Sequence, residues 1–377
     1  MIAVFRRPRF DVDTGMPHNP RMRLAAIFSA LVALTLAVNR PLSAQQPATG
    51  PGPHIQNPIV IQIMVDGIDA NTVRTAVANG AATVGGLLKQ GVTAQTYYCT
   101  SPAPQLILPD GSKPWGGSTS SNVAMHTGTH LFESKKMDDI FLSARRAGIK
   151  SVFAGGSPNY VIFDTADFLY YGDNLTDQQV IDRGLQHLNK DGARLLRLHP
   201  QHIRDHWHGP ADTTNPKSEY VQYFIKTVDP LIAQLIAGLK TAGVWDRTYI
   251  ILGSDHGMGQ TSQSGHPQSV LSSWTTFMAF YGPGIKRGAT IPYAEGPDVA
   301  IMTNYLLGLP PLRGHLDEQV PAKLRGVTGV FLANIFEGGP ADVKHPRLIE
   351  RYLHSKMPRG DQYVDYRAAM IKLLSEP

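Results

Sequence analysis

Three short stretches of this sequence concentrate residues that bind divalent ions or serve as nucleophiles. The first is Tyr249-Ile250-Ile251-Leu252-Gly253-Ser254-Asp255-His256-Gly257-Met258, a β-type apolar run that ends in an acid, an imidazole and a glycine. A hard carboxylate and a borderline imidazole can share one zinc ion, and a glycine after them lets the backbone turn sharply. An ordinary strand end with polar surface residues would read the same way, so Asp255 and His256 need partners. The run Ile59-Val60-Ile61-Gln62-Ile63-Met64-Val65 supplies one, because it also ends in an acid and a glycine, Asp66-Gly67. The second stretch is Gly116-Gly117-Ser118-Thr119-Ser120-Ser121-Asn122, followed by Thr127-Gly128. Small hydroxyl residues at a helix start usually cap it. Beside a metal ion the same residues can supply a nucleophile, since the ion lowers the hydroxyl pKa and the helix amides favour an incoming phosphate. The third stretch carries His199, His202, His206 and His208, four of the 14 histidines within ten residues, at separations that let several converge on one ion. Histidines beside Trp207 and Pro210 can also simply line a loop. His266 follows His256 by ten residues in a glycine-bearing segment.

These residues must be positioned by a sheet. Open α/β sheets place their chemistry at the carboxyl edge of the strands, where both acid-ending runs would deliver their side chains. Between the runs, Ala70 to Gln90 has helical spacing, and Gly148 to Gly156 reads as a helix stop and a further strand. Apolar residues at 228, 231, 232, 235, 236 and 239 form one helix face leading into the Asp255 strand. Helix alternating with strand predicts an α/β fold: a three-layer sandwich with a central, mainly parallel sheet flanked by helices.

The chain's 377 residues, 42% hydrophobic and 17% charged, are ample for one large core. Residues 1–44 read as an export leader, with Met22 as the expected start. Arg21-Met22-Arg23 precedes an apolar run from Leu24 to Val38, and Leu42-Ser43-Ala44 resembles a cleavage site. Residues 45–58 read as a Pro/Gly/Gln-rich linker and 59–377 as a single catalytic domain. A periplasmic or secreted protein with no membrane span after leader removal is therefore expected. The leader holds six Arg and two Asp, so about +1 of the chain's +5 remains outside it. That balance gives no nucleic-acid-binding signature. Cys99 is the only cysteine, which excludes an internal disulfide.

Taken in order, Asp66-Gly67, Thr119-Ser120-Ser121-Asn122 before Thr127-Gly128, His206 before Gly209-Pro210, Asp255-His256-Gly257-Met258 and His266 resemble the alkaline phosphatase superfamily. The branch most similar is the type I phosphodiesterase and nucleotide pyrophosphatase group, and the resemblance spans roughly Ile59 to Leu316. It implies a metal-dependent hydrolase of small phosphate esters, a diesterase rather than a monoesterase, with two divalent ions, zinc first among them. Asp66, Asp255 and His256 would hold one ion together with the Thr119 hydroxyl, and His206 and His266 the other. A threonine nucleophile would carry the phosphoryl group covalently.

Three departures from the family pattern bear on the site. Counting the usual spacing back from Thr127 lands on Ser118, whereas the Thr-Ser-Ser-Asn match selects Thr119 with one residue deleted; Thr119 is the expected nucleophile and Ser118 the alternative. The position of an acidic ligand of the second ion falls on His202, or on Gln201 in a shifted register, and an imidazole there keeps a ligand but removes a negative charge. The family's phosphate-contacting Asn after Thr-Gly is missing, leaving Asn122, Lys135 or Lys136 as substitutes. The nucleophile motif of the sulfatase branch, Cys/Ser-x-Pro-Ser-Arg, is absent. A monoesterase, or a member that binds ligand without turnover, are the competing expectations, the latter motivated by His202.

Overall fold

The computed structural model describes residues 52, 55–100, 119–206, 213–259, 265–355 and 363–376, all within one compact unit, Ala48–Pro377. The expected leader over 1–44 lies outside the described residues, as do Ser118 and the His208-Gly209-Pro210 segment. No helix among the described residues is long and apolar enough to cross a membrane.

In chain order the elements are β1 (Ile59–Met64), α1 (Ala70–Ala78), α2 (Ala82–Gln90), β2 (Val92–Tyr98), α3 (Thr119–Thr127), α4 (Ile140–Arg146), β3 (Ser151–Gly155), β4 (Phe168–Tyr171), α5 (Asp177–Asp191) and β5 (Leu195–His199). They continue with α6 (Glu219–Tyr223), α7 (Asp229–Thr241), β6 (Thr248–Gly253), α8 (Leu271–Trp274), β7 (Met278–Tyr281), β8 (Ala289–Glu295), α9 (Asp298–Leu306), α10 (Leu348–Ser355) and α11 (Tyr363–Ser375). The eight strands form one sheet in the order β4-β3-β5-β1-β6-β7-β2-β8. Neighbours run parallel except β7, which is antiparallel to both β6 and β2. The expected mainly parallel, helix-flanked sheet is what the chain forms.

Side-chain alternation explains the layering. All six residues of β1 are buried. Ile59, Ile61 and Ile63 enter one core with Val73, Val84, Val180, Leu231, Ile232 and Leu235 from α1, α2, α5 and α7. Val60 and Met64 enter the opposite core with Met125, Phe141, Val299 and Met302 from α3, α4 and α9. A strand covered on both faces reads as a continuous apolar run for that reason.

Local signals set the helix limits. Asp69 caps α1 by accepting the Thr72 amide at 2.7 Å. A Thr176–Gln179 capping box opens α5, and Gly192 closes it in the left-handed region at φ 68°. The expected helical stretch from Ala70 to Gln90 is two helices, parted around Gly80, whose φ of 121° no helix accommodates. The face read between 228 and 239 becomes α7, entered through a π turn over Phe224–Val228.

Candidate metal centre and nucleophile

The two acid-ending runs are neighbours. β1 pairs with β6 along its whole length, from Ile59↔Thr248 to Met64↔Gly253, so residues just past both strands emerge side by side. The Val65 amide still reaches Gly253 O at 2.9 Å, and the Asp66 amide turns to Pro200 O, beyond β5 on the other flank, at 3.0 Å. Asp66, Asp255 and His256 are all buried, and each offers a ligand atom within 4.8 Å of the others.

Hydrogen bonds aim these side chains. Asp255 Oδ1 accepts the backbone amides of Gly67 at 3.2 Å and His256 at 3.1 Å, which leaves Oδ2 turned toward the cluster. His256 Nδ1 lies 2.9 Å from the Gly257 carbonyl. A carbonyl only accepts, so Nδ1 carries the proton and Nε2 is the bare, ligand-type nitrogen. That Nε2 has no hydrogen-bond partner among the described residues and stands 3.6 Å from Asp255 Oδ2 and 3.9 Å from Asp66 Oδ1. Two carboxylates buried together repel each other, and a divalent cation between them removes that cost. The donor set therefore fits a zinc-type ion. Gly257 is required for a different reason than a sharp turn: it has no positive φ, but a Cβ there would lie 1.9 Å from Ser272 O and 2.2 Å from Thr275 O. Close packing against α8, not backbone freedom, selects glycine after Asp255-His256.

Thr119 is the first residue of α3 and is buried, as are Ser120 and Ser121. One turn on, Asn122 is fully buried; its Nδ2 donates to Asp255 Oδ2 at 2.8 Å, and its Oδ1 accepts from Arg197 Nη2 at 2.7 Å. The first turn of α3 is thereby fixed against the acidic cluster. Arg197 in β5 also donates through Nη1 to Gln62, its register partner in β1, and Gln62 donates to Thr303 of α9 at 2.7 Å. Burial pushes the Arg197 guanidinium down to about 10. Asn122, read from sequence as a phosphate contact, sits between a buried cation and a ligand-type carboxylate. Lys135 and Lys136 are exposed, on the segment between α3 and α4.

The remaining expected ligands lie on the loops flanking this cluster. The His266 ring is centred 3.9 Å from that of His256. His202 Nδ1 lies 2.9 Å from Asp177 Oδ1, and the same oxygen accepts the backbone amides of Gln201 at 2.8 Å and His202 at 3.2 Å. An oxygen that already accepts two amides acts as acceptor toward the ring as well, which places the His202 proton on Nδ1 and leaves Nε2 as the ligand-type nitrogen. His206 stacks on Tyr223 at 4.3 Å, and the Tyr223 hydroxyl donates to Asp177 Oδ2 at 3.2 Å. Both histidines are thus tied to one buried carboxylate, Asp177, at the start of α5. Gln201 is buried with its Oε1 unpaired among the described residues.

Four residues in and around this site escape a reading of local pattern. Asp177 carries no mark in the sequence except its place after the Thr176 cap. Arg197 and Gln62 interrupt apolar strands, and two polar interruptions in buried strands are the signal that they pair. His199 ends β5 as Asp66 and Asp255 follow β1 and β6; the sequence shows it as one of four clustered histidines, but not which strands it ends beside.

Comparison with known proteins bears on the fold and on part of the sequence. Residues 181–294 match the family model of type I phosphodiesterase / nucleotide pyrophosphatase. The bis(5'-adenosyl)-triphosphatase enpp4 of Mus musculus is 37% identical over 62 residues, a match that takes in 16% of this chain and 12% of the relative's length. Among solved structures, murine ectonucleotide pyrophosphatase / phosphodiesterase 5 superposes with a TM-score of 0.54 at 13% identity, covering 74% of this chain and 100% of that one. PsFucS1 sulfatase from Pseudoalteromonas sp. gives 0.55 at 15% identity, covering 85% and 76%. Identities this low speak for the fold alone. The family match runs from α5 through β5 and the Asp255-His256 strand end to β8, through the elements that build the cluster, and takes in less than half of the chain.

Proposed function

We propose that this chain is an exported hydrolase of phosphoric esters, preferring diesters, that uses two divalent ions, zinc first among them, and Thr119 as nucleophile. The observation that carries the reading is the buried group Asp66, Asp255 and His256, set at adjoining strand ends against the first turn of the helix that begins at Thr119. Asp66, Asp255, His256 and Thr119 would hold one ion, and His202, His206 and His266 the other. Bound there, the ions would polarise the ester and lower the pKa of the attacking hydroxyl.

The chain's own residues account for the remaining steps. The positive end of the α3 dipole favours the phosphoryl oxygens. The Thr119 oxygen forms a bond to phosphorus while one ester oxygen leaves in line and takes up the proton the hydroxyl gives up; a diester leaves its second ester group on the threonine-bound phosphorus, and water then displaces Thr119, releases the monoester and restores the hydroxyl. Asn122 holds Asp255 in its orientation through this cycle, and Asp177 holds His202. The leader pattern of residues 1–44 supports export, and the charge balance outside it supports a small phosphate ester rather than nucleic acid as the partner.

Zinc-loaded protein and chelator-stripped protein should be compared on bis(4-nitrophenyl) phosphate, 4-nitrophenyl phosphate and a dinucleoside triphosphate, the last chosen from the name of the mouse relative. Zinc-dependent turnover that is faster on the diester supports the proposal. Faster turnover of the monoester overturns the diester preference. Two bound zincs with no turnover of any substrate would make this a ligand-binding member, the reading to which His202 in place of a carboxylate points.

A further inference from the structure

We propose that His199 is a further protein ligand of the ion held by Asp66, Asp255 and His256, beside the Thr119 hydroxyl; this rests on the metal reading above. His199 is the last residue of β5, one position past Leu198, which pairs with Ile63 of β1. Its side chain is fully buried, and neither ring nitrogen has a hydrogen-bond partner among the described residues. A buried imidazole with both nitrogens bare is rare in folded proteins and calls for a missing partner.

The distances say which kind of partner. His199 Nε2 stands 3.7 Å from Asp66 Oδ2 and 3.9 Å from Asp255 Oδ2. Both separations are too long for N–H···O hydrogen bonds. Two donor atoms each about 2.0–2.2 Å from one zinc lie roughly 3.3 Å apart at a tetrahedral angle and about 4 Å apart at the widest. His256 Nε2 meets the same test from the same carboxylates, at 3.9 and 3.6 Å. Asp66 presents Oδ2 to His199 and Oδ1 to His256, while Asp255 presents Oδ2 to both. The Tyr160 ring, centred 4.8 Å from that of His199, packs against the imidazole. Strand position agrees with the distances: β5, β1 and β6 are consecutive in the sheet, and each delivers a donor at its carboxyl end.

The test uses the full chain as wild type, His199→Ala, His199→Gln and Asp255→Ala, each stripped with chelator and titrated with zinc against a chromophoric competitor. His199→Ala and His199→Gln should each weaken the tight zinc by more than the roughly 10- to 100-fold that loss of a residue merely supporting a ligand costs, with the metal-free unfolding midpoint preserved. With one equivalent of cobalt(II), X-ray absorption should count one imidazole fewer in His199→Gln than in wild type. Glutamine keeps much of the side-chain bulk, so it answers the question if the alanine variant does not fold. An unchanged zinc affinity, or an unchanged imidazole count, overturns the assignment of His199. If zinc is lost in Asp255→Ala and kept in both His199 variants, this proposal fails and the metal reading stands. If wild type takes up no zinc, both fail.

Discussion

The buried chain Gln62–Arg197–Asn122–Asp255 yields a prediction whose size can be worked out. Asn122→Leu keeps the number and branching of the side-chain heavy atoms but removes the 2.8 Å bond to the Asp255 carboxylate and the 2.7 Å bond from the Arg197 guanidinium. A hydrogen bond to an ionised group contributes about 1.5–3 kcal/mol, so the loss should be about 3–6 kcal/mol. Over a unit of roughly 330 residues, the unfolding entropy is on the order of 0.7 kcal/mol/K, and the melting midpoint should fall by about 4–8 °C. Arg197→Met takes a charge out of a dry interior but strands the oxygens of Gln62 and Asn122, for a net loss of about 2–4 kcal/mol. The two substitutions share one bond, so the double variant should be less destabilised than the sum of the singles by about 1.5–3 kcal/mol. Urea unfolding of the three variants and wild type, followed by circular dichroism in the presence of chelator, measures this without a contribution from metal. Additivity within about 0.5 kcal/mol would refute the claim that Arg197 and Asn122 act as one hydrogen-bonded unit.

Asp255→Ala should abolish hydrolysis and lower the zinc content by about one ion per chain, measured by elemental analysis, because the site has few ligands to spare. Thr119→Ala should cost several orders of magnitude in rate with zinc still bound, Thr119→Ser should retain part of the activity, and Ser118→Ala should cost little; steady-state kinetics on a chromogenic diester separate these. Asp139, which caps α4 by accepting the amides of Phe141 and Leu142, is raised by burial from 3.8 to about 6. A raised carboxyl stabilises the fold fully below pH 3.8, and that stability is lost as pH rises through about 6. Asp139→Asn keeps the cap and should remove this decline, on the order of 3 kcal/mol, in unfolding measured from pH 4 to pH 7.

The parts of this architecture that were legible in the sequence share one cause. Ile59–Met64 and Thr248–Gly253 are buried on both faces, so they read as apolar runs, and an acid straight after such a run stands out. Asp66, Asp255 and His256 were found that way, and the sheet with its flanking helices followed from the alternation of patterns. What stayed hidden depends on which strands become neighbours. Gln62 and Arg197 are partners because β1 pairs with β5 in one register, and no local rule states that register. His199 faces Asp66 and Asp255 for the same reason. The partition of Ala70–Gln90 into two helices was missed because one hydrophobic period continues across Gly80. The role of Asp177 was invisible because it acts on a loop more than twenty residues further along the chain.

The central claim is that a hydroxyl at the start of α3 attacks phosphorus beside the Asp66–Asp255–His256 cluster, and trapping the covalent intermediate tests it most directly. Zinc-loaded protein should be mixed with a chromogenic diester, quenched in acid and digested, and the phosphate located by mass spectrometry. The phosphoryl group, still carrying the diester's second ester group, should be found on Thr119 in wild type and not in Thr119→Ala. The same group on Ser118, or turnover in Thr119→Ala at the wild-type rate, would contradict that claim.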